Sequence, residues 1–443
     1  MDVLYGNEEL RATIKFPSGD YVALSDKPST ELDKLLLSAE FSLRDGNTAV
    51  NPVGTMMSNS ASLVIYDADD NLSPGNTESP YYGEMVNGVK VLLEIKGSSG
   101  DWEPYGTWYT TGWSGAYYDG GADAVRISLE DRLNTLGQLP LPKVAAYKNI
   151  QVDQLIQTVL TAAGVDEEEI YIDPALNQIV SYGIAQGDKL RDFINSICQM
   201  VFARVFVDRN NVICFYPALS TLPTGNTWTL TPDELGSLYN KNESAINYSS
   251  VKLSYFEPDS VVKEVLFDKV LDLKAGSNTI TDITPTGKVI SIEQVDISTQ
   301  DAVVQGLQVT AFQDYINLNI TLSEADAEVA VTGIGYTLGN RLSYATATIT
   351  NAAISGAGVL PFDTYQILTQ TQANALAQQV ASFVQAVSRS FGVSGTPLTP
   401  FIYPGDKIVI DETGTHYDGE YKVTEATVRF SEGYGVDVSF IRI

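Results

Sequence analysis

Two short stretches near opposite ends of the chain read almost alike: GVKVLLEI, starting at Gly88, and GDKIVIDE, starting at Gly405. Both run glycine, any residue, lysine, an apolar-rich stretch, then an acid. A strand that leaves a glycine turn and buries alternate side chains produces this order. The likeness continues downstream. Gly88-Val-Lys90-Val91-Leu92-Leu93-Glu94 lines up with Gly405-Asp-Lys407-Ile408-Val409-Ile410-Asp411. A second glycine follows in each, Gly106 before TWYTTGWSG and Gly419 before EYKVTEATV, and each closes on another strand, AVRISLED or GVDVSFIRI. Glycine turn, strand, loop, glycine turn, strand, hairpin and strand recur in the same order, which predicts one antiparallel barrel unit present twice. NSASLVIYDAD and YSSVKLSYFEP, each upstream of its repeat, supply a further candidate pair of matching strands.

Between the repeats the periodicity changes. Val152, Leu155, Ile156, Val159, Leu160 and Ala163 follow helical spacing, with Gly164 placed to end the helix. Leu190, Phe193, Ile194, Ile197 and Val201 make a second stripe, and ARVFVDRNNVICFYP reads as a hairpin turning at Arg209 to Asn211. Leu376, Val380, Phe383, Val384 and Val387 predict a later helix. These stripes are core faces rather than cofactor boxes. LGQLPLPKV, from Leu136, carries two prolines and reads as a linker.

A chain of 443 residues suggests roughly two to four domains. The expected division is a first β-barrel domain at 1–146, an α/β module at 147–222, the start of a second barrel at 223–262, a β-rich insertion plus helix at 263–390, and the end of the second barrel at 391–443. The fold class is α+β, mainly β: two tube-like barrels with an intervening α/β module and a β-rich insertion. Composition agrees, with 44% hydrophobic residues, 24 Tyr and 35 Gly favouring strands and turns.

Charge narrows the function. There are 55 acidic against 27 basic residues, a formal net charge of −28, so a phosphate backbone or an anionic membrane surface is repelled. Stable nucleic-acid binding is not expected. No apolar run is long enough to span a bilayer, so no membrane anchor is expected, and MDVLYGNEELRA lacks the basic and apolar regions of a secretory signal.

Reactive chemistry is sparse. Cys198 and Cys214 lie in apolar surroundings and read as buried small hydrophobes rather than a disulfide. The single histidine, His416 in TGTHYDG, has no nucleophile elbow to serve and reads as a loop residue. Clustered zinc ligands and a phosphate-binding loop are absent. Asp67, Asp69, Asn71 and Glu78 fall at positions 1, 3, 5 and 12 of a calcium-type loop, but Leu72 takes the glycine position and Pro74 follows, which favours an acidic hairpin turn. DEEEI, from Asp166, reads as a solvated face. No catalytic, cofactor-binding or metal residues are assigned, and no cofactor is expected.

Three stretches together resemble the central baseplate hub, or tail hub, proteins of bacteriophages and related contractile injection machines. They are NGVKVLLEI with GTWYTTGW; NIQVDQLIQTVLTAAGV followed by GDKLRDFINSICQMVFARVFVDRNNVICFYP; and the closing TPLTPFIYPGDKIVIDETGTHYDGEYKVTEATVRFSEGYGVDVSFI. The resemblance implies a structural virion protein of the tail or baseplate, made in the host cytoplasm and not an enzyme. It implies a homotrimer whose subunits each contribute two barrels, so that three chains present six barrels. Its implied partners are itself, a tail tube or distal tail ring protein, and a central spike or tip protein. Larger family members fuse a spike or hydrolase behind the hub. This sequence stops at Ile443 after the final strand, so such a part is expected to be a separate protein.

Two alternatives stand beside the hub. One is a distal tail or receptor-facing protein that binds carbohydrate, for which Trp108, Tyr109 and Trp113 could supply stacking surfaces, although barrel-core and interface roles suit these rings better. The other is a tail-associated cell-wall hydrolase working through paired carboxylates. If the chain is a hub, some of its carboxylates are expected to line the central channel and keep DNA from sticking.

Overall fold

The computed structural model describes residues 8–28, 34–45, 56–96, 100–118, 122–142, 147–183, 188–222, 225–231, 237–240, 248–258, 261–300, 302–312, 314–323, 325–338, 342–349, 358–387, 390–396, 400–411, 417–431 and 434–443. Seven strands come first: β1 (Glu9–Lys15), β2 (Tyr21–Ser25), β3 (Lys34–Arg44), β4 (Ser60–Tyr66), β5 (Lys90–Lys96), β6 (Trp102–Tyr118) and β7 (Ala122–Glu130). They pair in the order β3-β2-β1-β5-β6-β7-β4, and β4 returns to β3, so the sheet closes into a seven-stranded barrel. Alternation fills its interior. Leu10, Ala12 and Ile14 of β1 point inward with Val91, Leu93 and Ile95 of β5 and Ile127 and Leu129 of β7. Each such large aliphatic side chain contributes about 1.5–3 kcal/mol by leaving water.

A short helix, α1 (Arg132–Gln138), follows at once, with the Asp131 carboxylate accepting the Leu133 N–H at 2.9 Å. Two turns of helix carry too few apolar positions to register as a stripe, so the sequence does not announce it. The proline-bearing segment after it does not run free. Leu190 N–H donates to the Leu139 carbonyl at 2.9 Å, and Leu141 N–H donates to the Asp188 carbonyl at 3.0 Å.

The α/β module comprises β8 (Tyr147–Gln151), α2 (Val152–Ala162), β9 (Ile170–Ile172), β10 (Ile179–Gly183), α3 (Leu190–Val201), β11 (Ala203–Val207) and β12 (Ile213–Pro217). Both predicted stripes are buried apart from the half-buried Ala163, and Gly164 ends the first helix at φ +89°. The Asp208 carboxylate accepts Asn210 and Val212 N–H groups and forms the expected hairpin turn between β11 and β12.

β13 (Thr227–Leu230) and β14 (Ser237–Asn240) return to the large sheet, but β15 (Tyr248–Phe256) does not. Six strands of an insertion come next: β16 (Val261–Leu273), β17 (Gly276–Ile283), β18 (Val289–Thr299), β19 (Val304–Ala311), β20 (Ile316–Leu322) and β21 (Ala327–Leu338). They form two three-stranded sheets around their own core, which includes Leu266, Phe267, Leu318, Ile320, Val329 and Val331. Then β22 (Leu342–Thr348) and β23 (Gly358–Ile367) flank β15, and α4 (Gln370–Val387) packs on that sheet.

This overturns the match between YSSVKLSYFEP and NSASLVIYDAD, and with it the assignment of β15 to the beginning of the second barrel. Alternating side chains show that a strand has one buried face but not which sheet it joins. Buried residues of α2, α3, α4, β15 and β22 form a single hydrophobic cluster, so the α/β module shares its core with later chain.

Four strands end the chain: β24 (Ser390–Thr396), β25 (Lys407–Ile410), β26 (Gly419–Phe430) and β27 (Tyr434–Arg442). The second barrel unit runs β14-β24-β27-β26-β25-β13, and β26 also pairs with β3, so both barrel units belong to one thirteen-stranded sheet.

Candidate assembly site: a repeated turn and a buried ionic junction

Gly88 and Gly405 precede β5 and β25 with φ +88° and +99°, a left-handed backbone that glycine adopts without a Cβ penalty. Gly88 N–H donates to the Thr110 carbonyl at 2.7 Å, and Gly405 N–H donates to the Val423 carbonyl at 2.8 Å. The return bonds match as well, Thr110 N–H to the Val89 carbonyl and Val423 N–H to the Asp406 carbonyl, both at 2.9 Å. The second glycines, Gly106 and Gly419, sit at φ +150° and +148° opposite Leu93 and Ile410.

Register agreement extends over four strands. β6 shifts register between Thr110 and Gly112, and β26 between Val423 and Glu425, at the same step from the second glycine. Beyond the bulge Ser128 faces Gly112 and Ser439 faces Glu425. One strand further, Leu63 of β4 faces Ile127, and Val393 of β24 faces Val438. The true counterpart of β4 is therefore β24. The opening glycines occupy equivalent places in the two barrel units, as the sequence echo predicts.

The two units and the α/β module meet at a buried charge cluster that sequence reading missed. Asp45, after β3, lies 2.8 Å from the Lys422 ammonium on β26 and 3.4 Å from the Arg204 guanidinium on β11. All three side chains are buried, at 1%, 0% and 0% exposure. Lys422 also donates to the Ala218 carbonyl at 2.5 Å and Arg204 to the Ser220 carbonyl at 3.1 Å. Burial, reinforced by the neighbouring Arg204 charge, pushes the Lys422 ammonium down to about 8 despite the opposing pull of Asp45. Burial likewise lowers Arg204. A buried ion group of this kind adds little net stability, but removing one partner from it is costly. The available signal was an arginine inside the otherwise apolar run VFARVFV.

A second tie lies nearby. The Arg209 guanidinium stands 5.4–5.6 Å from the ring centroids of Tyr105, Phe401 and Tyr403, joining the β11–β12 turn to both barrel units. Asp406, the middle residue of the second glycine-lysine motif, is also buried. It accepts from Trp228 Nε1 at 2.9 Å, Tyr403 N–H at 2.9 Å and Asn226 N–H at 3.0 Å, and so fixes β13 beside β25.

The other residues singled out by sequence fall elsewhere. Lys34 reaches into the acidic turn and pairs with both Asp67, at 2.5 Å, and Asp69, so an ammonium stands where the calcium reading put a metal. Among the described residues no group of three or more His, Cys, Asp or Glu is placed to hold a metal ion. Cys198 and Cys214 are both buried and free, and burial pushes the Cys214 thiol up to about 12. His416 lies outside the described residues. Trp108 is buried beside Phe41, Tyr109 is half-buried, and the indole of Trp113 donates to the Val86 carbonyl at 3.2 Å. Burial removes Trp108 from any sugar-stacking surface. Of the acids after α2, Glu169 pairs with Arg132 at 2.7 Å. An open groove of 710 Å³ beside α2 is lined mostly by amide, hydroxyl and apolar side chains and has one carboxylate, Glu167. No described helix is long and apolar enough to cross a membrane.

No protein-family model and no curated protein sequence matches the chain. Solved structures do. The fold superposes on the 43 kDa tail protein of prophage MuSo2 from Shewanella oneidensis with a TM-score of 0.55 at 11% identity, covering 98% of each chain. It superposes on the tail protein from Neisseria meningitidis MC58 with a TM-score of 0.55 at 8% identity, covering 99% of this chain and 97% of that one. At such identities the likeness is one of fold, and it extends over nearly the whole length of each chain.

Proposed function

We propose that this chain, which shares the fold of two tail proteins, is the trimeric hub of a phage-type tail, joining a sixfold tail tube to a threefold spike or tip. The observation that carries the proposal is the matched register of the two barrel units about Gly88 and Gly405. A sixfold ring requires six similar docking surfaces, and three chains with two equivalent units each supply them. The role is structural rather than enzymatic, and its place is the virion tail or baseplate. Its partners are further copies of itself, a tail tube or distal tail ring protein, and a spike or tip protein. With a net charge of −28, carboxylates along the central channel would repel passing DNA.

Light scattering on the purified protein, alone and mixed with the tail tube protein of the same virus, tests this. The expected species has three times the chain mass and joins tube rings at three chains to six tube subunits. A stable assembly of six chains would contradict it.

A further inference from the structure

Among the described residues, the equivalence of the two units leaves one strand edge filled in the second and open in the first. β26 pairs β25 along Gly419–Lys422 and then, beyond its bulge, presents the same side to β3, with Glu425 facing Arg44, Val428 facing Phe41 and Phe430 facing Ala39. β6 is built alike up to that point. Residues from Trp102 to Tyr109 pair β5, the bulge follows, and the remainder to Tyr118 pairs β7 on the opposite side. Among the described residues, no strand and no backbone hydrogen bond occupies the β5 side of β6 beyond Thr110. Ser114 and Gly115 are exposed there. A row of unpaired N–H and C=O groups is a template for another strand.

The receiving strand is repeated too. β3 flanks β4 with Ala39 opposite Leu63, and β14 flanks β24 with Leu238 opposite Val393. Leu63 and Val393 are equivalent, so Ser237–Asn240 correspond to Ser38–Phe41. β3 receives β26 on its other side, whereas the matching side of β14 carries no strand among the described residues. Among the described residues two complementary edges thus stand open, and they do not meet there.

We infer that β6 of one copy pairs with β14 of a second copy of this chain. The pairing is antiparallel, with Gly115 opposite Asn240, Ala116 opposite Tyr239 and Tyr117 opposite Leu238. It repeats between chains the β26–β3 junction found within the chain. Such a head-to-tail contact uses two different surfaces and generates a closed ring when its rotation returns on itself. The inference rests on the trimeric reading and names its interface: three junctions within chains alternate with three between them.

The test is a double variant, Gly115→Cys with Asn240→Cys, oxidised mildly and run on a non-reducing gel. A Cβ added at Gly115 meets nothing within 4 Å, and Cys198 and Cys214 are buried and do not compete. Directly opposed strand positions bring Cβ atoms within disulfide reach after small adjustment. The expected result is a cross-linked product of three times the chain mass. The single variants, and Gly115→Cys with Tyr239→Cys, stay at one chain, because a one-residue slip places the thiols on opposite faces. Hydrogen exchange on the unaltered protein gives a second readout: slow exchange in the β6 segment after Gly112 and in Ser237–Asn240 is expected in the trimer. A trimer by light scattering that neither cross-links nor protects these amides overturns the interface while leaving the hub standing. A single chain at every concentration overturns both.

Discussion

Gly88 and Gly405 share a left-handed backbone, yet their surroundings differ. A Cβ at Gly88 meets open space, whereas one at Gly405 would lie 2.7 Å from Leu222 Cγ and 2.8 Å from Arg204 Nη2. Gly88→Ala is expected to cost only the left-handed strain, about 1–2 kcal/mol, and Gly405→Ala a further ~1–3 kcal/mol for the overpacking. Denaturant midpoints of the two variants check the order. At the ionic junction, Asp45→Asn leaves two buried cations without their carboxylate and is expected to cost about 3–5 kcal/mol. Lys422→Met leaves the Arg204–Asp45 pair intact and is expected to cost less than half as much. The Lys422 ammonium lies near 8 when folded, below its ordinary 10.5, so the unfolded chain binds the proton more tightly between these values. Its contribution is fully present above about 10.5 and is lost as pH falls through about 8. Stability of the parent relative to Lys422→Met should therefore rise from pH 8 to pH 10, and a flat difference would contradict the assignment. The glycines were legible in sequence because a left-handed turn selects one residue type. The junction was not, because Asp45, Arg204 and Lys422 are far apart in the chain and only folding makes them neighbours.

Elements were legible in proportion to their length and to how locally their partners are set. α2 and α3 showed themselves through apolar stripes that pack on one core, while α1 has too few residues to do so. β15 looked like any half-buried strand, and its sheet was decided by β22 and β23, which arrive roughly ninety to a hundred and ten residues later. The strands between β15 and β22 have their own core, and Phe256 already stands opposite Leu342. Excising Val261–Leu338 and joining β15 to β22 by a short turn makes a hairpin from strands that already pair. The shortened protein is expected to keep a cooperative melt and its near-ultraviolet aromatic signature, losing the small apolar cluster in which Val261, Ile290 and Tyr336 meet Tyr182, Phe256 and Ile367, and the contact of β18 with β8. Loss of cooperative unfolding would show that the insertion is integral to the core rather than added to it.

At the scale of the molecule, one continuous sheet carries two equivalent barrel units on a chain with a net charge of −28. Three such chains repel one another, so their association is expected to strengthen as ionic strength rises from about 0.01 to 0.15 M and the screening length falls from about 30 to 8 Å. Sedimentation across that range measures it, and weakening with salt would point to an interface held by ion pairs instead. The sequence showed the duplication and the resemblance but not how the units join, because pairing of β26 with β3 is a relation between strands almost four hundred residues apart. The proposed hub depends on duplication letting threefold symmetry present six equivalent barrels. Electron cryo-microscopy of the purified assembly, reconstructed without imposed symmetry, tests it most directly. The expected map has three chains and six barrels at near-equal angular spacing around one axis; three chains whose second units lie off the ring, or six chains in the ring, would contradict it.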